Sequence, residues 1–195
     1  LTNSGEIQVD QFLPLISRFD QRGWSLEPGL LDPGSVADVR AFLESRIQWM
    51  HQQFEQWVGS PITEDQPYSW HQEHTAKYEG MGLTDDLSHY LHGEFDLETR
   101  MDPKITNILA SEHCQKVVRE FMGVDRYYVH YPPMIRFKLP DAPASFVPPH
   151  QDFAYNQHLT KFMTIWMPFV DVDEEVGGLV VHEGSQLSEL TEHHL

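Results

Sequence analysis

Apolar positions recur at helical spacing in the first part of the chain. Val36, Val39, Leu43, Ile47, Met50, Phe54 and Trp57 form one stripe after Asp32-Pro33, an N-cap followed by proline at the first helical position. Gly59-Ser60-Pro61 stops that helix. The same signals predict a helix from Thr84 to His92, ended by Gly93, and another from Pro103 to Met122, capped by Asp102 and ended by Gly123. Between Ser60 and Gly82 no period holds, and Pro61, Pro67 and Gly80 mark a loop, read as a segment covering a pocket. After Asp125 the pattern changes. Short strand-like runs at 126–131, 134–139, 147–153, 161–170 and 179–183 are broken by Pro132-Pro133, Pro140, Pro143 and Pro148-Pro149, and Gly177-Gly178 supplies a turn. Helices first and strands afterwards predict an α+β chain, an antiparallel β core dressed by an N-terminal helical layer. On this reading residues 1–195 are a single domain, mainly helical over 1–124 and β over 125–195.

Charge narrows the partners. Of 195 residues, 30 are Asp or Glu and 13 are Lys or Arg, so the net charge of −17 repels a polyanion, and nucleic acid is not an expected partner. The most apolar stretch, Met163–Val170, contains Pro168 and falls far short of the roughly 20 residues a membrane helix needs. No membrane is expected either. The first residues lack a basic start leading into an apolar stretch, and the single cysteine, Cys114, has no internal partner for a disulfide. The expected compartment is the cytoplasm. Cys114 falls in the stripe of a predicted helix and reads as buried and inert.

Twelve histidines invite a metal-site reading, but with 30 acidic residues roughly two His-x-Asp/Glu pairs arise by chance. The chain has His71/Glu73, His92/Glu94 and His150/Asp152. Only the last lies in a strand context, where side chains two apart share a face about 6.6 Å apart along the chain and can converge on one ion. On a helix they diverge. A buried His–Asp hydrogen bond is the alternative for the same spacing. His71/His74 and His89/His92 lack the His-Glu-x-x-His form of zinc proteases and read as polar loop or solvated helix face. Neither a glycine-rich phosphate loop nor a Gly-x-Ser-x-Gly turn occurs.

The surroundings of His150 carry more. Met134-Ile-Arg-Phe-Lys-Leu-Pro140, Pro149-His-Gln-Asp152 and the stretch from Ile165-Trp166 through Gly177-Gly-Leu-Val-Val181 to Gln186 together resemble the phytanoyl-CoA dioxygenase family of Fe(II)- and 2-oxoglutarate-dependent oxygenases. The opening from Phe19 to Pro33 is similar to theirs as well. The resemblance implies a jelly-roll core (a double-stranded β-helix, cupin-like) with His150 and Asp152 as two ligands of a 2-His-1-carboxylate iron site. It places Met134, Gln151 and Trp166 at positions that contact 2-oxoglutarate in relatives. Strand alternation then puts Arg136 and Lys138 on the face of Met134, and Lys138 is expected to meet a cosubstrate carboxylate. The implied reaction hydroxylates a small organic substrate with dioxygen, releasing succinate and CO2.

The family's second iron-binding histidine and its cosubstrate-anchoring arginine come after a Gly-Ser-His stretch that here reads Gly184-Ser185-Gln186. About five strands are visible where a jelly roll has eight. The expectation is therefore that the C-terminal strands are incomplete and that the third ligand lies beyond Leu195, with His182, His193 and His194 as weaker candidates. A catalytically silent jelly-roll binding module, lacking a full metal triad, is the alternative function. A zinc hydrolase would need three converging ligands that the sequence does not display. The acidic charge favours a small neutral or cationic substrate over a polyphosphate ester.

Overall fold

The 26-residue helix α2 (Pro33–Val58) organises one part of the protein, and its origin is local. Pro33 fits the first helical turn, where its missing N–H costs nothing, and Gly59 closes the other end at φ +82° with its N–H on the Glu55 carbonyl. The computed structural model describes residues 13–143 and 146–189, which cluster into two units. Among the described residues, the first unit comprises 34–108 and 129–149, and the second joins 13–33 with 109–128 and 150–189. His193 and His194 lie outside the described residues.

In the first unit, α2 turns Val39, Leu43, Met50 and Phe54 inward. Phe54 is fully buried and meets His71, Tyr78 and Tyr90 at ring-centroid distances of 5.3, 6.2 and 5.7 Å. Those partners come from α3 (Tyr68–Glu73), α4 (Thr75–Gly80) and α5 (Asp85–Leu91). The irregular loop expected at 60–82 is thus helical over Tyr68–Glu73 and Thr75–Gly80. Its helices are too short to announce themselves by period; packing of Tyr68, His71 and Tyr78 around α2 stabilises them instead, each buried ring contributing about 1.5–3 kcal/mol. Thr84, where the sequence places the start of this helix, caps α5 by accepting the Leu87 N–H. The unit also holds α6 (Leu97–Arg100), capped by Asp96, and α7 (Pro103–Leu109).

The second unit contains α1 (Leu13–Arg22) and α8 (Glu112–Met122). The helix expected over Pro103–Met122 is therefore two helices. Ser111 is the cause, because its side chain accepts the Cys114 N–H and serves as an N-cap rather than a mid-helix residue. Cys114, Val117 and Val118 are the buried face of α8, and Phe121 packs edge-on against Phe19 at 5.3 Å. Arg22 and Trp24 both donate to the Glu183 carboxylate, while Gln186 reaches the carbonyls of Asp20 and Gln21. Gly23 permits this clasp: at φ +80° it lies under the Gln186 side chain, whose Oε1 occupies the space a Cβ would need.

The jelly-roll expectation is overturned. Among the described residues there is no strand, only isolated bridges at Thr63–Gln66 and Glu94–Arg136. The five runs after residue 125 were read from alternation, which specifies an extended conformation but not a partner ladder. Prolines between the runs remove donors, and turns take up the backbone groups instead, as where Asp173 accepts the N–H groups of Glu175 and Val176. Val180 and Leu179 accordingly remain 83% and 61% exposed. No helix among the described residues is long and apolar enough to cross a membrane.

Candidate metal centre

His150 and Asp152 belong to the second unit, and the backbone between them explains how they meet. Gln151 is extended (φ −113°, ψ 118°), so its neighbours project to the same side. Asp152 then starts a 3-10 turn through Ala154, held by the Ala154 N–H on the Gln151 carbonyl and by the Asn156 side chain on the Asp152 carbonyl. His150 Nε2 lies 3.1 Å from Asp152 Oδ1, with the two side chains 32% and 38% exposed. Tyr155 stands edge-on to the imidazole at 6.0 Å.

Thr164 completes the arrangement. Its hydroxyl donates to Asp152 Oδ2, which turns Oδ1 toward His150. Sequence reasoning missed it, although the signal was present: Thr164 lies two residues before Trp166 in the same extended run, and so on its face. Trp166 is 49% exposed, and Gln151 is half-buried. Met134, 65% exposed, and Lys138, also exposed, belong to the other unit. There Arg136 pairs with Glu94 at 3.6 Å.

The family model for phytanoyl-CoA dioxygenase matches residues 30–195. The chain belongs to the phytanoyl-CoA dioxygenase family. No curated protein and no solved structure matches it. The phytanoyl-CoA dioxygenase family is one of oxidoreductases, in general dependent on Fe(II) and 2-oxoglutarate.

Two of three donors fit such an ion. Imidazole and carboxylate ligands lie about 2.0–2.2 Å from a divalent ion such as zinc, so two ligands at right angles around one ion are about 3.0 Å apart. The 3.1 Å between His150 Nε2 and Asp152 Oδ1 is close to that separation, and it is equally the direct His–Asp hydrogen bond that the spacing allowed. Thr164 fixes the carboxylate from behind, as hydrogen-bond partners of metal ligands do. No cluster of three His, Cys, Asp or Glu side chains occurs among the described residues, so His182 does not join the pair. His71/Glu73, His92/Glu94, His71/His74 and His89/His92 form no such cluster either. His71 packs instead as a core residue, 1% exposed.

Proposed function

We propose that this protein is an Fe(II)- and 2-oxoglutarate-dependent dioxygenase that hydroxylates a small organic substrate, with succinate and CO2 as coproducts. One observation carries the reading: the His150–Asp152 pair stands close to the separation of adjacent ligands of one ion, inside the matched region of an oxygenase family. His150 Nε2 and Asp152 Oδ1 would hold the iron, which when bound supplies the oxygen-activating chemistry. The protein's own contribution is positional. Thr164 orients the carboxylate, the turn at 152–154 holds its backbone, and Gln151 and Trp166 are the side chains we assign to the cosubstrate.

Anaerobic addition of Fe(II) and 2-oxoglutarate tests the reading. A visible charge-transfer band is expected with the native protein and not with Asp152→Ala, followed on admitting air by iron-dependent succinate release. A band of equal strength in both proteins would overturn the metal assignment.

A further inference from the structure

A cleft of about 350 Å³ lies wholly within the unit of residues 34–108 and 129–149, at the small end of the ~300–1,000 Å³ typical of ligand pockets. Ile47, Phe137 and Leu139 give it an apolar wall, and His51, Tyr68 and Tyr90 give it a polar one. The polar groups already satisfy one another. Glu55 Oε1, 3.2 Å from His51 Nε2, takes the hydrogen on that nitrogen, leaving Nδ1 as an acceptor. Tyr90, fully buried, donates to Nδ1 at 2.6 Å, and the Tyr68 hydroxyl lies 2.9 Å from that of Tyr90. Burial pushes both phenols above their ordinary range, so they stay neutral hydroxyls. With the Tyr90 proton on Nδ1, Tyr68 donates its own to Tyr90 and offers the cleft only acceptor lone pairs.

Lys138 also lines the cleft, and no carboxylate does. Its ammonium has no ion pair among the described residues, whereas nearby Arg136 is committed to Glu94. In a chain of net charge −17 this is the one cation among the described lining residues that an anion could pair with, the Glu55 carboxylate being set behind His51. One cation facing an apolar wall suits one carboxylate; Gln48 and Gln52 add neutral amides to the lining but no second cation for a dicarboxylate.

We propose that this cleft binds a small monocarboxylate with an apolar body, its carboxylate on Lys138 and its hydrocarbon against Ile47, Phe137 and Leu139. The assignment moves Lys138 away from 2-oxoglutarate and does not depend on the iron reading. Calorimetric titration of the EDTA-treated full chain with hexanoate, hexanamide and 2-oxoglutarate tests it. Hexanoate is expected to bind at least about tenfold more tightly than its neutral amide, with 2-oxoglutarate weaker than hexanoate. Lys138→Met is expected to weaken hexanoate about tenfold and leave hexanamide unchanged. Lys138 is exposed, so the variant's far-ultraviolet dichroism is expected to match the native protein. Equal affinity for acid and amide, indifference to Lys138→Met, tighter binding of 2-oxoglutarate, or no heat from hexanoate would each overturn the proposal. None of these bears on the charge-transfer band, because no iron is present.

Discussion

Acidification through the histidine range is expected to destabilise the protein by way of His71. This imidazole is 1% exposed, edge-on to Phe54 at 5.3 Å and nearly parallel to Tyr78 at 5.8 Å. Its Nδ1 lies 2.8 Å from the Tyr78 hydroxyl, and its buried Nε2 has no hydrogen-bond partner among the described residues. A protonated ring would need an acceptor at both nitrogens. Burial pushes its pKa below the ordinary 6.5; the Gln66 backbone opposes the shift, and His74 adds to it. Because the folded value is the lower one, the unfolded chain binds the proton first. Stability is therefore full above the unfolded value of about 6.5 and falls as the pH drops from there toward the folded value, by up to about 1.4 kcal/mol per pH unit.

The control is His71→Phe, which keeps a ring but strands the Tyr78 hydroxyl, only 4% exposed, at a cost of about 1–3 kcal/mol at neutral pH. Urea denaturation followed by tryptophan fluorescence, repeated from about pH 8 down to about pH 5, gives both curves. They are expected to converge below about pH 6.5 by up to about 1.4 kcal/mol per unit, because only the native protein carries the buried titration. Parallel curves would refute the reasoning.

Asp96 gives the opposite sign. Burial pushes its carboxyl up, but hydrogen bonds from the Thr99 N–H at 2.7 Å, from Arg46 Nη2 at 3.0 Å and from the Thr99 hydroxyl at 2.9 Å outweigh it, and the pKa lies below the ordinary 3.8. Its contribution is present above the unfolded value and lost as pH falls through the folded one. Asp96→Asn is expected to cost about 1–3 kcal/mol at neutral pH in urea denaturation, with the difference vanishing in strong acid; equal neutral stability would contradict this. Ser111→Ala is expected to cost about 0.5–2 kcal/mol in thermal unfolding through loss of the α8 cap, and an unchanged melting temperature would show that the cap is dispensable.

Where structure is decided locally, the residues announced it. Thr84 and the stripe of α2 predicted their helices to within a residue or two, because caps and apolar period act over a few positions. Ser111 sent the same kind of signal, but the continuous apolar pattern on either side of it hid the break. The helices at 68–80 left no periodic trace, since they are held by rings meeting Phe54 across the chain. The strand readings failed for a related reason: alternation reports which side chains share a face, and the partner that would make a ladder is not written in the run itself. That same alternation nonetheless brought His150 and Asp152 to one side. His51 could be read as cleft-facing from its place four residues after Ile47, whereas Tyr68 and Tyr90 join it only through the fold.

The clasp of Arg22 and Trp24 on Glu183 ties residues about 160 positions apart, and the unit it closes is assembled from three separated stretches of chain. The other unit, residues 34–108 and 129–149, falls between those stretches in the sequence. A ribosome therefore releases every part of this unit before the discontinuous one can gather its last piece, so it is expected to fold first and the discontinuous unit to wait on the slow closure of a long loop.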